Sequence, residues 1–170
     1  MNMQSIHKGE QKVTKKKLHN VFSYGSNLNP MRLQSRIRNW DGSYQLASLS
    51  GYELRFNMFA EQQRVGANIV PHPTRQVRGI IIQLDEIDLF ELDKYEGHPI
   101  LYKRVEVKVN LDNTSRIEAY TYVAQPQWIT EGLLPTVDYL EHIINGASVC
   151  GLPSDYIQAI QKLGTFLHIK

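Results

Sequence analysis

The isoleucine run in Gly79-Ile80-Ile81-Ile82 constrains this chain more than any other stretch, because a continuous β-branched run fits a strand covered on both faces. Such a strand belongs at the centre of a sheet, so Val77 to Leu84 is the element around which the others must be arranged. Tyr102 to Val109 reads Tyr-Lys-Arg-Val-Glu-Val-Lys-Val, a strand with one wet face. Ile117 to Ala124 follows the turn-rich Asn110 to Ser115 and predicts the second arm of a hairpin. Tyr44 to Phe59 reads as one or two strands broken near Ser50-Gly51. Val65 to Val70 reads as a short strand stopped by Pro71 and Pro73, which cannot donate to a ladder.

Helix signals separate these strands. Asn29 is a good N-cap, and Pro30 then falls at the first helical position, where its missing N–H costs nothing. Met31, Leu33, Ile37 and Trp40 are spaced as one apolar face, leaving Arg32, Arg36 and Arg38 to solvent. Asp85 caps a helix from Glu86 to about Tyr95, with Ile87 and Phe90 inward and Leu89 and Leu92 as further inward positions. Gly97 ends it, and Pro99 prevents continuation. Pro126 to Pro135 is an irregular connection. Thr136 caps a helix with Val137, Leu140, Ile143 and Ile144 inward and Gly146 at its end, and Ser154 caps a last one. The order predicts an α+β domain with a mostly antiparallel sheet and helices beside it.

The chain has 170 residues, long enough to bury a core as a single domain over residues 18–170. Residues 1–17 are poor in apolar side chains and read as a flexible basic arm. The net charge is only +2, and Lys12, Lys15, Lys16 and Lys17 of that arm supply part of it, so little argues for nucleic acid. No apolar run approaches the roughly 20 residues that cross a bilayer, and no membrane association is expected. A cytoplasmic location is expected. Cys150 is the only cysteine, which excludes an internal disulfide and a thiolate metal cage, and its small apolar neighbours suggest burial. The six histidines show no metal-ligand spacing, and no Gly-x-Ser-x-Gly or phosphate-loop frame is present. No histidine or cysteine metal site is expected from this spacing.

Two stretches carry chemistry. In Val21-Phe22-Ser23-Tyr24-Gly25-Ser26-Asn27 an apolar strand ends at a tight turn just before a helix. Backbone N–H groups there could receive a carbonyl oxygen or an anion, although an ordinary strand-to-helix corner has the same signature. In Leu92-Asp93-Lys94-Tyr95-Glu96-Gly97 a carboxylate stands at the negative end of a helix. If aromatic residues wall Glu96, burial and the dipole both raise its pKa and make it a better base; the alternative is an exposed Glu at a frayed end.

With Tyr102 to Val109, Asn145-Gly146-Ala147 and Gly151-Leu152-Pro153-Ser154-Asp155-Tyr156, these two stretches resemble the gamma-glutamylcyclotransferase family over about residues 19 to 165. The resemblance implies a small, strongly bent β-sheet or barrel flanked by helices. It implies conversion of gamma-glutamyl amides or peptides to 5-oxoproline and a free amine, without a cofactor. It assigns Val21, Phe22, Ser23, Tyr24, Gly25, Ser26 and Asn27 to a substrate-binding loop, Glu96 to the catalytic position and Tyr122 to a substrate contact. The partner it implies is a small gamma-glutamyl substrate, and it admits a homodimer. Loops 60–76 and 125–135 are then the expected determinants of leaving-group selectivity. A non-catalytic gamma-glutamyl-binding module of the same fold is the alternative reading.

Overall fold

The computed structural model describes residues 16–60 and 64–166. Of the expected arm, residues 1–15 lie outside the described residues. Five strands form a closed barrel: β1 (His19–Ser23), β2 (Gln45–Ala60), β3 (Arg64–Leu84), β4 (Tyr102–Leu111) and β5 (Arg116–Ala124), in the spatial order β1-β3-β2-β4-β5. Every pairing is antiparallel except β1 with β5, which meet in parallel at Val21 and Tyr120 and close the barrel. Val77 to Leu84 is central as expected: Ile80, Ile81 and Ile82 pair with β1 on one edge, Ile80 and Ile81 also with β2 on the other, and all three are buried.

The prolines do not stop β3. It runs through Pro71 and Pro73, both exposed, in a half that pairs with β2 but lies beyond the reach of β1. One edge of the strand is free there, so a missing N–H breaks no ladder bond on that side. Opposite Pro71 the register slips between Ser50 and Tyr52, where Gly51 adopts φ 84°. The expected break near Ser50-Gly51 is therefore a bulge within one long strand.

Among the described residues four α-helices flank the barrel: α1 (Pro30–Gln34), α2 (Glu86–Glu96), α3 (Val137–Cys150) and α4 (Ser154–Thr165). Asn29 caps α1 by accepting from the Arg32 N–H at 3.2 Å. That helix stops at Gln34, earlier than its apolar spacing suggests, because Ser35 turns its hydroxyl back onto Arg32 O at 2.7 Å. Leu33, Ile37 and Trp40 are buried all the same, while Met31 points outward at 80 % exposure.

Asp85 caps α2, and its neighbour one turn on, Asp88, is buried and accepts from the Arg38 and Asn39 N–H groups at 3.0 and 2.8 Å. Two N–H groups on one carboxylate hold the segment after α1 against α2. Leu89 and Leu92 face the core, whereas Ile87 and Phe90, expected inward, are 63 % and 59 % exposed. The buried aspartate at position 88 sets the rotation of the helix, which turns the 87/90 face outward.

In α3, Gly146 does not end the helix; Gly151, with φ 82°, does. Gly146 marks a close approach instead: a Cβ there would lie 2.4 Å from Asn29 N and 2.6 Å from Leu28 C. Cys150 is buried one turn later, its thiol donating to Leu28 O at 3.3 Å. Leu140 and Ile143 point inward as expected, but Val137 is exposed. The last helix begins with Ser154 itself, which makes no side-chain cap bond.

Candidate active site

Beyond Ser23 the chain forms one turn of 3-10 helix, Ser26–Leu28, before α1 begins. Gly25 has no side chain to keep neighbours away: a Cβ there would come within 3.2 Å of Ala67 Cβ. The N–H groups that open a helical turn have no partner within it, so those of residues 25–27 are available beside this loop. Gly146 and Cys150 of α3 hold the loop from behind.

Glu96 reaches this loop by helical geometry. It follows buried Leu92 by four residues and so shares its face, one turn nearer the C-terminus. Gly97, at φ 63°, ends the helix immediately, its N–H bonding Lys94 O and that of His98 bonding Asp93 O. Glu96 Oε1 accepts from Asn27 Nδ2 at 2.7 Å, and the side chain keeps 15 % of its surface exposed. Burial pushes its pKa above the ordinary carboxylate value, while Arg36, Asn27 and Arg32 pull it back and Asp93 raises it.

Phe22, Ser23, Tyr24, Gly25, Ser26, Asn27, Glu96 and Tyr122 thus line one small open-mouthed pocket. Val21 is not part of its wall; it is buried in the core, paired with Ile82 and Tyr120. Ala67, Tyr102 and Tyr139 complete the lining and were not singled out from the sequence. A tyrosine opening the alternating strand at 102, and another beside the apolar stripe of α3 at 139, are the only local hints of them. No residue of 125–135 lines the pocket, and among the described residues of 60–76 Ala67 alone does so, most of that span being strand β3 and not a loop.

Ala67 sits on the free edge of β3, and two phenols satisfy its backbone. Its N–H donates to Tyr139 Oη at 3.0 Å, and its carbonyl accepts from Tyr102 Oη at 2.7 Å. The Tyr24 hydroxyl donates to Tyr122 O at 2.5 Å, and the Tyr122 hydroxyl to Asp93 Oδ1 at 2.7 Å. Arg104 bonds the other oxygen, Asp93 Oδ2, at 2.6 Å. Three of the four phenols therefore give their protons to protein oxygens and offer lone pairs to the pocket. The Tyr139 proton alone has no acceptor among the described residues. Burial raises the pKa of all four, so they stay neutral donors and acceptors.

Arg36, assigned to solvent from its spacing, instead lies at the back of the site. Its Nη1 is 2.6 Å from Asn27 Oδ1 and 3.9 Å from Glu96 Oε1, and its guanidinium stacks 5.2 Å from the Tyr95 ring centroid. Among the described residues no group of three His, Cys, Asp or Glu side chains is arranged to hold a metal ion. None of the described helices is long and apolar enough to cross a membrane.

A closed five-stranded barrel flanked by four helices, with the loop after its first strand facing a carboxylate at the end of α2, has the α+β architecture of the gamma-glutamylcyclotransferase-like fold. Residues 76–160 match the model of the AIG2-like family, and the chain belongs to that family. It is 29 % identical over 149 residues to a gamma-glutamylcyclotransferase of Bos taurus, an overlap of 84 % of this chain and 77 % of the relative. It superimposes on a solved gamma-glutamyl cyclotransferase with TM-score 0.77 and 26 % identity, covering 85 % of this chain and 87 % of the other. The human protein loc79017 superimposes with TM-score 0.73 at the same identity, covering 85 % and 86 %.

Proposed function

We propose that the protein is a gamma-glutamylcyclotransferase that cyclises a gamma-glutamyl amide or peptide to 5-oxoproline and releases the amine or amino acid, with Glu96 as the single proton carrier. The observation that carries this reading is the Glu96 carboxylate, held at 2.7 Å from Asn27 across a pocket lined by the Tyr24-Gly25-Ser26-Asn27 loop.

The reaction needs little from the protein beyond placement and proton transfer. The α-amine of the substrate attacks its own γ-carbonyl carbon, so the nucleophile comes with the substrate and neither a triad nor an activated water is required. Holding the glutamyl chain folded is worth on the order of 7–11 kcal/mol when the geometry is good. A pocket walled by Phe22 and four tyrosines can impose that fold.

Glu96 takes a proton from the α-ammonium, which frees the nitrogen lone pair. The new C–N bond closes the five-membered ring and places negative charge on the γ-oxygen. Glu96 returns the proton it took to the leaving nitrogen as the intermediate collapses and the bond to the amine breaks. The carboxylate so regenerated takes the second proton from the ring nitrogen, leaving a neutral lactam N–H, and passes it to the released amine. A carboxylate with a raised pKa suits these transfers. The loop N–H groups and the uncommitted Tyr139 hydroxyl supply donors for substrate oxygens, the γ-carbonyl or the α-carboxylate, while the lone pairs of Tyr24, Tyr102 and Tyr122 suit the ammonium.

The test is 5-oxoproline release from a panel of gamma-glutamyl amino acids, gamma-glutamyl amines and glutathione. Turnover of at least one class is expected. Saturable binding with no product from any class, in folded protein, would favour a binding module and overturn the reading.

A further inference from the structure

Arg36 is a nearly buried cation, its side chain 13 % exposed, that does not line the pocket. Its one side-chain hydrogen bond within the described residues goes to Asn27 Oδ1 at 2.6 Å. Asn27 turns its other end, Nδ2, to Glu96 Oε1 at 2.7 Å. A primary amide carries donor and acceptor on one carbon, so fixing one end fixes the other. Were Asn27 flipped, its carbonyl would face the carboxylate and its NH₂ the guanidinium, replacing two attractive contacts with two repulsive ones. The guanidinium therefore decides which end of Asn27 meets Glu96. A donor on Oε1 favours the ionised carboxylate and leaves Oε2 as the basic oxygen.

We propose that Arg36 is a positioning residue: through Asn27 it favours the ionised form of Glu96, with Oε1 occupied and Oε2 free to take the substrate's ammonium proton. This rests on the reading of Glu96 as the proton carrier.

The other charged and titratable groups around Glu96 are accounted for. Arg32 of α1 acts in the same direction as Arg36, and Asp93 of α2 opposes it. The phenols Tyr24 after β1, Tyr102 of β4, Tyr122 of β5 and Tyr139 of α3 are kept neutral by burial. Arg104 is tied to the far oxygen of Asp93. Burial is the largest influence on Glu96 and disfavours its charge; the strongest opposing one is Arg36.

The test titrates the Glu96 carboxyl carbon by ¹³C NMR in glutamate-labelled protein, the resonance being identified by its loss in Glu96→Gln. The midpoint should rise by about one pH unit or more in Arg36→Met, the scale of an opposite charge removed from this range, and by less in Arg36→Lys. The acid limb of kcat/KM for 5-oxoproline release should move with it. Should the Met variant not fold, Arg36→Gln, which keeps a donor without the charge, is read in the same way. A folded, uncharged variant with the wild-type midpoint would overturn the proposal, and a lower Tm with no shift would mean a structural role only. The NMR midpoint needs no turnover. Absent product from wild type would therefore end the proposed activity, while the dependence of Glu96 on Arg36 would be judged on the NMR midpoint alone.

Discussion

Asn27 donates to Glu96 over 2.7 Å although 69 residues separate them in the chain. Neither is placed by its own neighbours alone. Asn27 is held by α3, through the close approach at Gly146 and the Cys150 thiol on Leu28 O. Glu96 is aimed by the buried 88, 89 and 92 positions of α2. Barrel closure between β1 and β5 brings the first loop beside the strands that carry Tyr122 and Tyr102.

Glu96→Gln keeps the shape of the side chain and its contact with Asn27 but removes the ionisable group. Release of 5-oxoproline should fall by about 10²–10⁴, the usual contribution of a positioned proton carrier, with the circular dichroism spectrum unchanged. A Gln variant of undiminished kcat would remove Glu96 from the chemistry.

The same variant should show a pH-dependent gain in stability. The folded-state pKa of Glu96 lies above its ordinary value because burial disfavours the charge. The native state then binds more protons than the unfolded chain between the two values, so stability falls as pH rises through that window. Glu96→Gln is freed from that loss. Its Tm should exceed that of wild type at pH 8, with the difference shrinking toward pH 4; a Gln variant less stable at pH 8 than at pH 4, relative to wild type, would contradict this.

Three glycines should respond differently to alanine. At Gly79 a Cβ would lie 2.2 Å from Ser23 O, a backbone atom of the paired strand, so Gly79→Ala should fail to fold or unfold well below wild type. Gly146→Ala meets the backbone of Leu28 and Asn29 and should lose stability and activity together. Gly25→Ala presses on Ala67 Cβ at 3.2 Å, with Tyr139 Oη in ordinary contact at 3.9 Å, and should fold, but with KM raised by the narrowed pocket. Thermal melts and steady-state kinetics on the three proteins separate these outcomes.

Tyr139→Phe removes the acceptor for the Ala67 N–H on the free edge of β3. An unsatisfied buried donor costs about 1–3 kcal/mol, and Tm should fall by several degrees. Activity should fall as well, because the donor lost is the one pocket-lining phenol proton without an acceptor among the described residues. Tyr102→Phe leaves a carbonyl short of one bond and should be the milder of the two in Tm, as measured by calorimetry.

Much of this was legible locally. The central strand at 77 to 84, the caps at Asn29, Asp85 and Thr136, and the αL glycine at 97 are signals carried within a turn or two of chain. The misreadings have long-range causes. Pro71 and Pro73 fit β3 because one edge of that strand is free, which depends on where β1 stops. Ile87 and Phe90 face out because Asp88 is buried against the segment after α1. Gly146 is required by the backbone of Leu28 and Asn29, more than a hundred residues away in sequence, and not by the end of its helix.

Local patterning was enough for the kinds of element and their order, the loop at Tyr24-Gly25-Ser26-Asn27 and a carboxylate at the negative end of α2. That the two meet, that Tyr102 and Tyr139 seal Ala67 beside them, and that Arg36 lies behind Asn27 and not in solvent follow from long-range packing. Periodicity and capping act over a few residues and are written into each segment. Which buried groups face one another depends on how the barrel closes, and no single segment encodes that.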